Sequence, residues 1–195
     1  MIKNPYFTLQ DIRIRGAVLF PSQLTLWKKQ GLIDKVKRGI YVFNDRKDGI
    51  QKEEIAFLLY GPSYISSESI LRKHGLIPEM VYGTTSVTTR TTRRFTNSFG
   101  AFIYHHVTPR LFFGYTAHTT PHGKYLLADP EKAMLDYLYL NQDSIDTIDD
   151  IDEIRINGER FLEVMDTDKL KEYACAFCSP KIDHLLDILC TYVHA

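Results

Sequence analysis

The sequence predicts an α+β protein in two parts, a small unit of helices and a hairpin over residues 1–50 and a larger mixed α+β domain over residues 51–195. Three observations carry this. The first fifty residues hold two short helical segments separated by a turn and followed by a hairpin signal. From Tyr82 to Tyr125, Thr, Val, Tyr and Phe dominate, with turn residues at Asn97-Ser98, Gly100, Pro109 and Gly114, which predicts an antiparallel strand block. Helical segments come after it, and strands followed by helices indicate α+β layering.

The first helix is expected to begin near Tyr6, with Thr8 as N-cap, Asp11 three residues on as its capping-box partner, and Gly16 as its end. Pro21 suits the first turn of a second helix, where its missing N–H costs nothing. That helix runs from Ser22 to Gln30 and is closed by Gly31, after two lysines that suit the negative helix end. Helical spacing puts Leu24 and Trp27 on one face, and Ser22, Thr25 and Lys29 on the other, with Gln23 and Leu26 beside them. Ile33–Val36 and Ile40–Phe43 read as strands, with Lys37-Arg38-Gly39 as the turn between them. Two helices and then a basic hairpin form the order of a winged helix-turn-helix. The second helix would enter the major groove with Ser22, Gln23, Thr25, Lys28 and Lys29, and the hairpin would touch phosphates through Lys35, Lys37 and Arg38. Arg46 and Lys47 extend the basic surface, and Asp34 partly offsets it. Only Met1 to Pro5 precede the first helix, so its support must be short or come from the larger domain.

In that domain, Lys52–Leu59 predicts a helix, and Ser66 is expected to cap another over Ser67–His74 that Gly75 ends. Arg90, Arg93 and Arg94 read as solvated strand charges rather than phosphate contacts. Asp129 and Pro130 open a largely buried helix, with Glu131 at its start and Asp136 on its exposed side. Gly158–Met165 and Asp168–Tyr192 also read as helical, and the acidic run from Asp143 to Glu153 as a solvated loop or helix start.

Composition bounds the function. The 195 residues are 44% apolar, 25% charged and 12% aromatic, which argues for a folded chain. No apolar run approaches the ~18 residues of a membrane span. Met1 to Tyr6 lack the apolar core of a signal peptide, and three cysteines make no disulfide framework, so a cytoplasmic location is expected. The net charge of zero conceals a polarity: residues 1–52 carry 11 basic against 4 acidic side chains, residues 53–125 carry 7 against 4, and residues 126–195 carry 6 against 16. A basic end suggests a nucleic-acid surface.

Motifs for other chemistry are few. There is no Gly-rich phosphate loop, no Gly-x-Ser-x-Gly and no Ser-x-x-Lys. His105 and His106 sit on opposite faces of a strand, and Pro121 breaks any helix joining His118 to His122. Cys175-Ala176-Phe177-Cys178, with Cys190, His184 and His194 beyond, raises the question of zinc, but buried thiols acting as small apolar groups are the preferred reading. No cofactor is expected. A metal-dependent nuclease would need a convergent set such as Asp129, Glu131 and Asp136.

Several blocks in order resemble AbiEi-type antitoxins of type IV toxin–antitoxin, or abortive infection, systems. They are Trp27–Phe43, Pro62–Leu71 with His74–Glu79, Ser86–Arg90, Phe112–Tyr115 and Ala128–Asp136. The resemblance implies a bacterial, non-enzymatic transcriptional regulator. It would bind double-stranded operator DNA, repress its own operon, and counteract a nucleotidyltransferase-like toxin with which it need not form a stable complex. It also implies antitoxicity through the C-terminal domain, where Ser66, Glu68, Arg90, Glu131, Lys132 and Asp136 fall in the matching blocks. A stand-alone winged-helix regulator is the alternative, and a metal-dependent nuclease a more distant one.

Overall fold

A computed structural model of the chain describes residues 4–78 and 83–194. Glu79 of the second block and Tyr82, the expected start of the strand-rich stretch, lie outside the described residues, as do 1–3 and 195. The described residues form an α+β protein with two sheets.

The small sheet has the order β1-β3-β2, all antiparallel, from β1 (Tyr6–Thr8), β2 (Ile33–Lys37) and β3 (Ile40–Phe43). Tyr6 and Phe7 thus belong to a strand and not to the start of a helix, because they pair with Val42 and Tyr41. Thr8 then ends the strand and caps α1 (Leu9–Ile14), exchanging bonds with Asp11 in a complete capping box. Gly16 and Gly31, both at positive φ, close α1 and α2 (Pro21–Lys29). Phe7, Ile12, Leu24 and Ile33 make a small core under these helices, with Trp27, Tyr41 and Phe43 at its margin.

The hairpin also faces the other way. Val36 and Val42, with Ile50 after the 3-10 turn Asn44–Gly49, belong to the main core of the larger domain. Tyr6 Oη donates to the His122 carbonyl at 2.8 Å, and Asn97 Nδ2 to the Val36 carbonyl at 3.3 Å. The two helices therefore rest on β1 and the hairpin, and the hairpin in turn is held by residues beyond 50.

The large sheet has the order β6-β7-β5-β4-β9-β8, built from β4 (Ser63–Ile65), β5 (Thr84–Thr88), β6 (Arg93–Asn97), β7 (Gly100–His106), β8 (Tyr115–Thr119) and β9 (Lys124–Ala128). It is mixed, not antiparallel as expected: β4 runs parallel to β9 and β5 parallel to β7. Two placements make the difference: β4, from outside the strand-rich stretch, inserts between β5 and β9, and β6 pairs on the outer edge of β7, so that β7 lies parallel to β5. The helix α3 (Lys52–Leu59) packs on β4, β5 and β9. Next comes α4 (Glu68–Lys73), with Ser67 and not Ser66 at its N-cap position. The buried α5 (Pro130–Asn141) packs against α4 and the last two helices.

The acidic run becomes α6 (Ile148–Ile154), opened by a capping box between Thr147 and Asp150. It is followed by α7 (Gly158–Val164), α8 (Thr167–Cys175) and α9 (Pro180–Val193). Among the described residues no helix is long and apolar enough to cross a membrane.

Candidate nucleic-acid interface

The exposed side of α2 carries Ser22, Gln23, Thr25, Lys28 and Lys29, all open to solvent, while Leu24 faces the small core. Two of these side chains are tied to their own helix. Gln23 Oε1 accepts the Phe20 N–H at 2.9 Å, and Thr25 Oγ1 donates to the Pro21 carbonyl at 2.9 Å. A bidentate Gln–adenine pair needs both amide atoms, so Gln23 would have to release this cap to read a base.

The hairpin divides the cations assigned to it. Lys35 and Arg38 are exposed. Lys37 is not at a phosphate-facing tip: its Nζ donates to the Leu59 carbonyl at 2.7 Å and lies over the rings of Tyr60 and Phe95. The reason is a bulge between Lys35 and Lys37, which shifts the strand alternation and turns Lys37 toward the larger domain. Lys47 pairs with Asp34 at 3.2 Å, so Asp34 offsets Lys47 rather than the hairpin end. Burial pushes the Asp34 carboxyl up, but a Ser98 hydrogen bond and Lys47 outweigh it, leaving the pKa lowered. Arg46 pairs with Asp45 and lies on the Phe43 ring.

Sequence reasoning passes over Arg13 and Arg15, exposed at the end of α1, although the Arg-Ile-Arg spelling is plain. With Lys28, Lys29, Lys35 and Arg38 they give six cations, none ion-paired to a carboxylate among the described residues. Exposed apolar side chains accompany them: Ile14, Val18, Phe20, Leu26 and Leu32.

In the C-terminal domain, three of the six residues from the family blocks come together and three do not. Ser66, Lys132 and Asp136 are each 0% exposed. Asp136 is therefore at the centre of the domain and not on an exposed helix side. Its Oδ2 accepts from Ser66 Oγ at 2.7 Å and Tyr64 Oη at 2.9 Å, and its Oδ1 pairs with Lys132 one turn earlier. The Lys132 ammonium lies 5.0–5.5 Å from the ring centres of Phe177, Phe113 and Tyr64. Burial pushes Asp136 up and Lys132 down, and their mutual attraction opposes both shifts. Burial, and then the Asp136 charge, raises the Tyr64 hydroxyl.

Glu131 instead accepts the Asp166 N–H at 3.0 Å and pairs with Lys169, which also holds Asp129 at 3.0 Å. Burial works against the Lys169 charge, but the two carboxylates more than offset it and raise its pKa. Asp129 sits at the N-cap position of α5 without a side-chain cap bond, its carboxylate being spent on Lys169 and Tyr173. Glu68 lies apart, and Arg90 lies near the hairpin. A carboxylate set for metal would need Asp129, Glu131 and Asp136 to converge, but the first two serve Lys169 and the third serves Lys132.

Cys175 and Cys178 are exposed, which corrects the expectation of buried thiols, and Cys190 is half-buried. The segment between the first two turns out of α8, with Cys178 at φ 47°, so the thiols face solvent while Phe177 points inward. Among the described residues no group of three His, Cys, Asp or Glu is placed to hold a metal ion.

No family model matches the chain, and no curated protein matches it.

Proposed function

We propose that the chain is a DNA-binding antitoxin and autorepressor, non-enzymatic, whose first fifty residues act as a winged helix-turn-helix on duplex operator DNA. The observation that carries the DNA-binding part is the set of six exposed cations on α1, α2 and the hairpin, none paired with a carboxylate among the described residues. Cations of this kind release counterions when they meet phosphates, and that release supplies most of the affinity of such proteins for DNA. The action against a nucleotidyltransferase-like toxin rests on the family resemblance. A place in the cytoplasm accords with both parts.

The test for DNA binding is a promoter shift assay repeated over a range of salt. Lys35→Ala with Arg38→Ala is expected to weaken binding to all sequences alike and to lower the salt slope by about 0.9 for each phosphate no longer neutralised. Lys37→Ala, turned inward, is expected to leave the slope unchanged. An unchanged slope in the Lys35→Ala, Arg38→Ala variant would remove the hairpin from the interface. For the toxin, the full chain is the right reagent, because Val36, Val42 and Ile50 belong to the core of the larger domain. Co-expression of the K28A/K29A variant with the toxin is expected to protect cells while repression is lost. Loss of protection in that variant, with an unchanged melt, would defeat the division of labour.

A further inference from the structure

Three cations gather on one tyrosine ring where the hairpin meets the large sheet. The Arg90 guanidinium lies 4.4 Å from the Tyr60 ring centre, Lys37 Nζ 5.6 Å and Arg93 6.0 Å. The ring is only 4% exposed and is wedged between Phe95 and Tyr104. The loop carrying Arg90 and leading into β6 at Arg93 is fixed as well. Arg90 Nη1 donates to the Gly61 carbonyl at 3.2 Å, His106 Nδ1 donates to the Arg90 carbonyl at 2.9 Å, and the His106 N–H donates to Thr92 Oγ1 at 3.1 Å. A groove of about 650 Å³, open to solvent, runs along Tyr60, Arg90, Thr91, Thr92, Arg93 and His106.

No carboxylate among the described residues pairs with Lys37, Arg90 or Arg93. Burial and then the Arg90 charge pull Lys37 below its ordinary pKa. The Thr91 hydrogen bond, and after it Arg90 and Arg93, pull the Tyr60 hydroxyl down. Like charges held together by a rigid frame, without a counter-charge, favour an anion.

We propose that this groove binds a phosphate group carrying two or more negative charges, such as pyrophosphate or the terminal phosphate of a nucleotide, gripped by Arg90 and Arg93. The planar guanidinium fork matches phosphate oxygens two at a time. Thr92 Oγ1 accepts from the His106 N–H and so keeps its own hydrogen for a phosphate oxygen. A buried Tyr60 ring offers no platform for a base, so recognition is confined to the phosphate. The two arginines of the groove wall, with Lys37 behind them, match a terminal dianion better than a single-charge phosphodiester, which sets this groove apart from the α2 face.

The experiment is calorimetric titration of the full chain, at low salt, with pyrophosphate and separately with ATP. One saturable site per chain is expected. R90Q/R93Q should weaken it by at least about tenfold, as the removal of charge-assisted hydrogen bonds does. K28Q/K29Q should leave it within about twofold, since those lysines lie on the α2 face. A cooperative melt and the single variant R93Q, expected to show a smaller effect in the same direction, guard against misfolding. A third arm titrates a short DNA duplex, whose affinity is expected to persist in R90Q/R93Q and to fall in K28Q/K29Q. Absence of saturable pyrophosphate binding would overturn the proposal, as would equal weakening in both double variants. It also fails if R90Q/R93Q loses the duplex and not pyrophosphate, which would make the groove part of the DNA interface. Loss of duplex binding in neither variant would count against the DNA reading and leave the pyrophosphate result to decide the groove.

Discussion

Lys132 and the Lys37–Arg90–Arg93 group are both cations seated on aromatic rings, and they differ in everything else. Lys132 is sealed in the core, with Asp136 beside it and two hydroxyls completing that carboxylate. The other group is open on one side, gathers on a single ring, and has no carboxylate partner among the described residues. A buried charge must be matched from within, because water cannot reach it. A charge group at the surface is solvated by water and screened by salt, so it is free to take an anion that arrives. The first cluster is therefore complete in itself, and the second is a place for binding.

The largest expected effect breaks the closed cluster. Asp136→Ala leaves the Lys132 ammonium buried without a counter-charge and strands the Ser66 and Tyr64 hydroxyls. It should cost about 3–5 kcal/mol in urea denaturation. Replacing the pair together, K132M with D136L, should recover most of that loss, since a buried pair exchanged for apolar groups is often near neutral. A loss under about 1 kcal/mol for Asp136→Ala would mean that the cluster is not sealed.

Glu54 stands between the two cases. It is 2% exposed; Thr120 bonds its Oε1, and its Oε2 has no hydrogen-bond partner. Burial raises its pKa. Its contribution to stability is therefore complete below the unfolded value, about 4.3, and is lost as pH rises through the folded value. Glu54→Gln removes the charge, so at pH 7 the variant should be more stable than the native chain by about 1 kcal/mol. The gap should close toward about pH 4. A gap independent of pH would show that Glu54 is ionised at no cost where it sits.

How far the sequence reveals these clusters depends on how local each signal is. Thr8 with Asp11, Pro21, Gly31 and Pro130 mark helix ends through short-range geometry, and the structure has helix ends at those places. Thr147 with Asp150 carries the same local signal, but the density of acids around it obscures α6. Asp136 reads as exposed because its partners Tyr64 and Ser66 lie 72 and 70 residues away. Only the pairing of β4 with β9 brings that segment beside α5. The position of Lys37 turns on one bulge, which alternation alone does not announce. Tyr60 carries no signal of its own, since its role exists only once Arg90 and Lys37 arrive from separate elements.

The smallest expected effect tests the open cluster. Arg90→Gln gives up one hydrogen bond to the Gly61 carbonyl and the stacking on the Tyr60 ring, both at an exposed position. It also removes a like charge that lowers the Lys37 pKa. These changes nearly cancel, and stability should move by no more than about 0.5 kcal/mol, as for other exposed charge interactions. The pH dependence is more telling. A lysine with a lowered folded pKa binds its proton more readily when unfolded, so stability rises with pH between the folded and unfolded values. Arg90→Gln should flatten that rise in the alkaline range. Added salt should stabilise the native chain more than the variant, because it screens a repulsion that the variant no longer has. A loss above about 1.5 kcal/mol would place Arg90 with Lys132, as a charge the fold cannot spare. The open groove would then be part of the frame and not a site awaiting an anion.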